Sequence, residues 1–172
     1  MRRRFRETGF TLIELLIVVA IIGLLAAMLI PNLLDAMQKT KQKKTMADQR
    51  LLGGAMMGWL TDQTSAAAAG AATTVVDLGD YASISPASLS DELVPTYIQA
   101  IPAYDGWKKP YDLFLDTVPP MDEHVMAIRS AGQGGVASSD VYDSSAFEPT
   151  DYEQDLVWAD GFFVRWPQRM ST

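Results

Sequence analysis

The sequence predicts an α+β protein: a long N-terminal helix, transmembrane in its first half and amphipathic in its second, packed on a small antiparallel β-sheet of three or four strands. Three observations predict it. An unbroken apolar run, Leu15 to Ile30, lies between Phe10-Thr11-Leu12-Ile13-Glu14 and Pro31-Asn32-Leu33-Leu34. Together they reach the roughly 20 mostly apolar residues that a bilayer-spanning helix needs. Beyond this run, apolar residues recur at helical spacing. Short runs of β-branched and aromatic residues then fill the C-terminal third, the last two separated by the hairpin signal Asp160-Gly161.

The chain of 172 residues has room for one domain plus an appended helix. Its formal net charge is −7. The first nine residues hold Arg2, Arg3, Arg4, Arg6 and Glu7, so the remainder is more acidic still, at −10. An acidic body argues against nucleic acid as a partner, because no basic stripe is left to displace phosphate counterions. Lys39, Lys41, Lys43 and Lys44 form one basic cluster just past the apolar run. It reads as a solvated helix face or as a contact for anionic lipid headgroups. With no cysteine, disulfides and thiolate metal sites are excluded.

Basic residues followed by an apolar run resemble a secretory signal. Such a signal has an apolar core of about 7–15 residues and a small-residue cleavage site on its far side. Here the run is too long and no Ala-x-Ala site follows it cleanly. The four arginines hold their end in the cytoplasm. The expectation is a single-pass anchor with an exported C-terminal part.

Gly9-Phe10-Thr11-Leu12-Ile13-Glu14 and the apolar residues to Ala27 resemble the N-terminus of type IV pilins and type II secretion pseudopilins. The carrying pattern is a short basic leader, Gly, an aromatic residue, and Glu four places on. The resemblance implies the pilin fold, cleavage between Gly9 and Phe10 by a prepilin peptidase, and N-methylation of the new Phe10 amine. Glu14 needs a reason of its own. A charge at the centre of a membrane helix costs about 2.5–3.5 kcal/mol on insertion scales. A helix N-terminus returns only about 0.3–1 kcal/mol to an anion. The resemblance supplies the rest: Glu14 pairs with the Phe10 ammonium of a neighbouring subunit and sets the axial register of a filament.

Four segments follow: a cleaved leader over 1–9, a transmembrane and filament-core helix over 10–34, its amphipathic continuation over 35–63, and a globular head over 64–172. Pro31 is expected to kink or locally melt the helix. Past it, Leu33, Met37, Met46-Ala47, Leu51-Leu52, Ala55-Met56 and Trp59-Leu60 predict an apolar stripe that packs on the head. Gly53, Gly54 and Gly58 each cost about 1 kcal/mol inside a helix. They are expected where a sheet or neighbouring helix approaches closely, or where the helix frays.

In the head, the Ala-, Gly-, Ser- and Thr-rich stretch from Thr64 to Ser88 reads as a loop. Ser88 to Asp91 reads as the cap of a single helical turn ending before Pro95. Asp105-Gly106-Trp107-Lys108-Lys109-Pro110-Tyr111 resembles a block in the head of the type II major pseudopilin, with Lys108 where that family usually has Gly. Strands are predicted over Tyr111 to Leu115, Val125 to Ser130, Asp155 to Trp158 and Phe162 to Trp166. Trp59, Trp107, Trp158 and Trp166 read as core or groove packing.

Ser130 to Gly135, followed by Ser139-Asp140-Val141, resembles the calcium loop of major pseudopilins. The resemblance implies a calcium site involving Gly132, Gln133, Asp140 and Asp143. Gln133 stands where the family places an acid. Calcium takes six to eight oxygens. The alternative is an acidic solvated loop that keeps molecules apart by charge. His124, the only histidine, reads as a satisfied or exposed side chain. No nucleophile–base order, phosphate loop or His/Cys metal cluster appears, so no enzyme is expected.

The functional expectation is a structural subunit of a pilin-like filament, most similar to the type II secretion pseudopilus. Implied partners are copies of itself, the prepilin peptidase, an inner-membrane assembly platform with minor pseudopilins, and membrane lipid before assembly. The implied location is the bacterial inner membrane with the head in the periplasm, then a periplasmic or cell-surface filament. A type IV pilus subunit and a non-polymerising membrane-tethered binding domain are the alternatives.

Overall fold

The computed structural model describes residues 10–63, 75–117 and 124–168. Helix α1 (Leu12–Gln63) runs unbroken through Pro31. The proline does not melt the helix. The neighbouring Asn32 Nδ2 donates to Met28 O at 3.2 Å, adding a side-chain bond in that turn. The helix contributes to two compact units, one ending at Met37 and one beginning at Gln38. In the first unit the large apolar side chains from Phe10 to Met37 are exposed. Length and composition make this segment able to cross a bilayer.

In the second unit α1 lies on a five-stranded sheet of order β2-β3-β6-β7-β5: β2 (Asp112–Leu115), β3 (Met126–Ser130), β5 (Ser145–Phe147), β6 (Leu156–Ala159) and β7 (Phe162–Pro167). The four antiparallel strands are those the sequence predicts, with ends shifted by a residue or so. β5 adds a parallel edge to β7. A separate antiparallel ribbon joins β1 (Val75–Asp77) to β4 (Val141–Asp143). The expected loop from Thr64 to Ser88 therefore carries a strand, a 3-10 turn at Leu78–Asp80 and the start of a helix. Its residues 64–74 lie outside the described residues. The helix is also longer than a single capped turn. Helix α2 (Pro86–Leu93) is capped by Ser85, whose Oγ accepts from Ser88 N at 3.1 Å, and Pro86 occupies its first turn.

Both faces of the sheet are buried: β6 is apolar throughout, and β3 is buried along its whole length although it carries Arg129 and Ser130. On one face Leu113, Leu115, Met126, Ile128 and Trp158 meet Leu52, Met56, Trp59 and Leu60 of α1 and Leu89 and Leu93 of α2. On the other, Phe114, Ala127, Val157 and Val164 meet Val76, Leu78, Tyr81 and Tyr142. Asp160 (φ 44°) and Gly161 (φ 101°) form the expected tight turn between β6 and β7.

The buried stripe of α1 differs from the apolar pattern in its first half. Gln42, Thr45 and Gln49 are buried there, whereas Ala47 and Leu51 face solvent. Gln49 Nε2 donates to Leu156 O at 2.8 Å and Ile128 O at 3.3 Å, tying the helix to two strands. Gly53 lies against the Trp158 indole, as a closely approaching sheet requires, while Gly54 faces open space.

Burial, together with the neighbouring Asp160, pushes the Tyr81 phenol well above its ordinary range; burial and Asp48 do the same for Tyr111, and burial and Asp155 for Tyr142. A folded pKa above the unfolded value of about 10 gives stability that is complete below about pH 10 and lost as pH rises towards the folded value. The head is expected to unfold in alkali. Absorbance at 295 nm should show these three phenols ionising together with loss of tertiary structure. Smooth ionisation near pH 10 in a still-folded head would contradict this.

Candidate functional site

The N-terminal site is built on one turn of α1. Thr11 N donates to Glu14 Oε2 at 2.8 Å, Thr11 Oγ1 donates to the same oxygen at 2.7 Å, and Glu14 N donates to Thr11 Oγ1 at 3.2 Å. This reciprocal arrangement is a capping box, Thr-x-x-Glu, which satisfies N–H groups that a helix start leaves without partners. The Thr-x-x-Glu spacing is present in the sequence, but the charge of Glu14 in an apolar stretch masks its second role as a cap. Among the described residues these bonds engage only Oε2 of the carboxylate, which leaves Oε1 for a further donor. Phe10 opens the described chain and is 73% exposed. Gly9 lies outside the described residues.

The second site is the Asp105 block. Asp105 is buried, and its Oδ1 accepts from Trp107 N and Lys109 N, each at 2.8 Å. Its Oδ2 accepts from Ser130 Oγ of β3 at 2.6 Å. Gly106 N donates to Thr45 Oγ1 at 2.9 Å, and Trp107 Nε1 donates to Gln38 Oε1 at 2.7 Å. The block fastens α1 to the sheet. Lys108 has φ 64°, in the left-handed region where glycine is least strained, and this accounts physically for a glycine preference there.

The expected calcium residues do not converge. Gly132, at φ 58°, packs against Tyr152 O and Gln154 O, and Gln133 N donates to Tyr152 O at 2.8 Å. Asp140 Oδ1 lies 2.6 Å from Arg129 Nη1. Asp143 pairs with Val75 in the outer ribbon and is exposed. Among the described residues no group of three or more His, Asp or Glu side chains is placed to hold a metal ion. Asp155 Oδ1 is buried without a partner among the described residues. Calcium also draws on backbone carbonyls, but Asp140 is already held by the Arg129 guanidinium and Gln133 brings no charge. The residues present do not fit calcium. His124 is half-buried against the Tyr81 ring, with centroids 5.1 Å apart.

A groove of about 690 Å³ lies in the head between α1 and β7, lined by Lys39, Lys43, Arg50, Phe163 and Trp166 among others. Arg50 stacks over Phe163 at 4.9 Å. The basic cluster is thus divided: Lys39 and Lys43 line this groove, and Lys44 pairs with Asp48 at 3.5 Å.

An exposed apolar helix, begun by a capped glutamate and continued into an α+β head, defines the class of pilin-like filament subunits. A family model for the prokaryotic N-terminal methylation motif matches residues 4–30. Type II secretion system core protein G of Klebsiella michiganensis is 30% identical over 142 residues, covering 80% of this chain and 92% of that protein. The protein of the same name from Aeromonas hydrophila is 29% identical over 140 residues, covering 81% and 92%. Type IV major pilin protein PilA of Myxococcus xanthus is 43% identical over 58 residues, covering 34% and 26%. No solved structure matches. The chain belongs to the type II secretion system core protein G, or major pseudopilin, family. It is a structural subunit of a prepilin-peptidase-processed filament, not an enzyme.

Proposed function

We propose that the chain is the main subunit of a type II secretion pseudopilus. It waits as a single-pass protein of the bacterial inner membrane with its head in the periplasm. Prepilin peptidase cuts between Gly9 and Phe10, and the Phe10 amine is methylated. An assembly platform and minor pseudopilins then receive it, and Glu14 takes the Phe10 ammonium of a neighbour already in the filament. The observation that carries this reading is the Thr11–Glu14 turn: a carboxylate fixed at the start of an exposed apolar helix with Oε1 still available. Secretion is favoured over a type IV pilus because similarity to core protein G extends through the head, whereas similarity to PilA spans 58 residues.

The intact mass of the purified protein tests processing. It should correspond to a chain that starts at Phe10 and carries one methyl group; a retained leader would overturn the reading. Deleting the gene should then abolish export of folded enzymes from the periplasm and leave surface pili in place. The opposite pattern would identify a pilus subunit.

A further inference from the structure

Arg129 is a charge in the middle of a buried strand. Its neighbours in β3, Met126, Ala127, Ile128 and Ser130, are fully buried, and Arg129 itself is only 9% exposed. A buried guanidinium is retained only with partners. Arg129 Nε donates to Asp112 Oδ2, its cross-strand partner in β2, at 2.8 Å. Nη1 donates to Asp140 Oδ1 at 2.6 Å and Ser139 O at 2.9 Å, and lies 3.4 Å from the Tyr142 hydroxyl. That hydroxyl shares its single proton between Ser139 O and Asp155 Oδ2. Asp155 Oδ2 also accepts from Ser138 N and Ser138 Oγ at 2.8 and 2.6 Å. A connected network therefore runs from β2 through Arg129 to the 138–140 loop, on to β4, and back to the residue that precedes β6.

We propose that the Arg129 guanidinium is the built-in cation of the loop between β3 and β4, binding the carboxylate and carbonyl oxygens that a divalent ion would need, so that the head folds without calcium. The chemistry favours it. Guanidinium is permanently charged and offers several donors in a fixed plane, so it can hold a carboxylate and a carbonyl at once. Burial opposes the charge, but the hydrogen bonds that Arg129 donates to Asp140, Tyr142 and Asp112 outweigh burial and hold it more firmly protonated than usual. A calcium ion at Asp140 would have to displace Nη1. It would then sit beside a like charge and leave that charge buried with fewer partners. The inference concerns the head alone, and its failure would leave the filament reading as it stands.

The test uses the processed full-length chain in detergent micelles, with head unfolding followed by near-ultraviolet circular dichroism. The wild-type midpoint should be the same in millimolar calcium chloride and in EGTA. Arg129→Gln should lower it by on the order of 10 °C in both buffers, as expected when one partner of a buried charge network is removed. Asp140→Asn changes an exposed loop side chain and keeps the test open should Arg129→Gln fail to fold. It should lower the midpoint by a few degrees, equally with and without calcium. A wild-type midpoint that rises with calcium, an Arg129→Gln midpoint equal to wild type, or an Asp140→Asn loss confined to calcium would each overturn the proposal.

Discussion

Glu14→Ala is expected to give a subunit that still inserts in the membrane and still loses its leader but no longer enters filaments. Insertion should not suffer, because removing a charge from an apolar segment lowers the cost of burying it. Helix α1 should also survive. The substitution breaks the capping box with Thr11, which is worth about 1 kcal/mol, and frays one turn of a 52-residue helix. The loss appears only when subunits meet. Each Phe10 ammonium would enter an apolar core without a counter-charge. Removing one partner of a buried, hydrogen-bonded charge pair costs about 2–5 kcal/mol. The penalty recurs at every subunit, so filament yield should fall below detection. Two further variants separate the cap from the charge. Thr11→Ala removes the hydroxyl that bonds Glu14 but keeps the carboxylate, and it should still assemble. Glu14→Gln can keep the cap, since an amide oxygen accepts from Thr11 N, but it lacks the charge and should fail like alanine. Subunit–subunit crosslinking in isolated cell envelopes, measured against total membrane-bound subunit, is the readout. Glu14→Gln filaments at the wild-type level would show that the carboxylate serves the helix start and not the neighbour.

Much of the architecture was legible because it rests on periodicity and punctuation. The apolar run, the stripe from Leu52 to Leu60 and the Asp160-Gly161 turn each carry a local signal that the structure repeats. The polar half of the α1 interface was not legible. Gln42, Thr45 and Gln49 look like solvent-facing residues, and the partners of Thr45 and Gln49 lie far along the chain. The same holds for β1: Val75-Val76-Asp77 is too short to stand out beside a long small-residue stretch, and it becomes a strand only by pairing with Val141–Asp143. Glu14 and Phe10 stood out by motif, but Thr11 did not, because a hydroxyl at a helix start is ordinary. At the loop after β3, the resemblance directed attention to Gln133 and Asp143, whereas the organising residue was Arg129. An arginine inside an otherwise apolar strand was the signal available, since a charge in such a run needs carboxylates close by.

Gly106→Ala is expected to destabilise the head more than a methyl added at any other described glycine. A Cβ built at Gly106 would lie 2.2 Å from Lys41 O, 2.6 Å from Lys41 C and 2.7 Å from Lys41 Cα. These are main-chain atoms in the middle of a helix and cannot rotate aside. The 105–109 turn must lift from α1, and that loosens its bonds to the helix, Gly106 N to Thr45 Oγ1 and Trp107 Nε1 to Gln38 Oε1. Overpacking costs about 1–3 kcal/mol and each lost hydrogen bond about 1 kcal/mol, so a loss of roughly 3 kcal/mol is expected. For a domain of this size, that lowers the midpoint by on the order of 10 °C. Gly54→Ala is the matched control. It adds the same methyl group to α1, where no heavy atom lies within 4 Å, and should raise stability by up to about 1 kcal/mol through helix propensity alone. Opposite shifts of the two variants, read by thermal unfolding in the same detergent, would trace the effect to close approach of the turn and the helix. A Gly106→Ala midpoint at or above wild type would mean that the Asp105 block does not hold the sheet to α1.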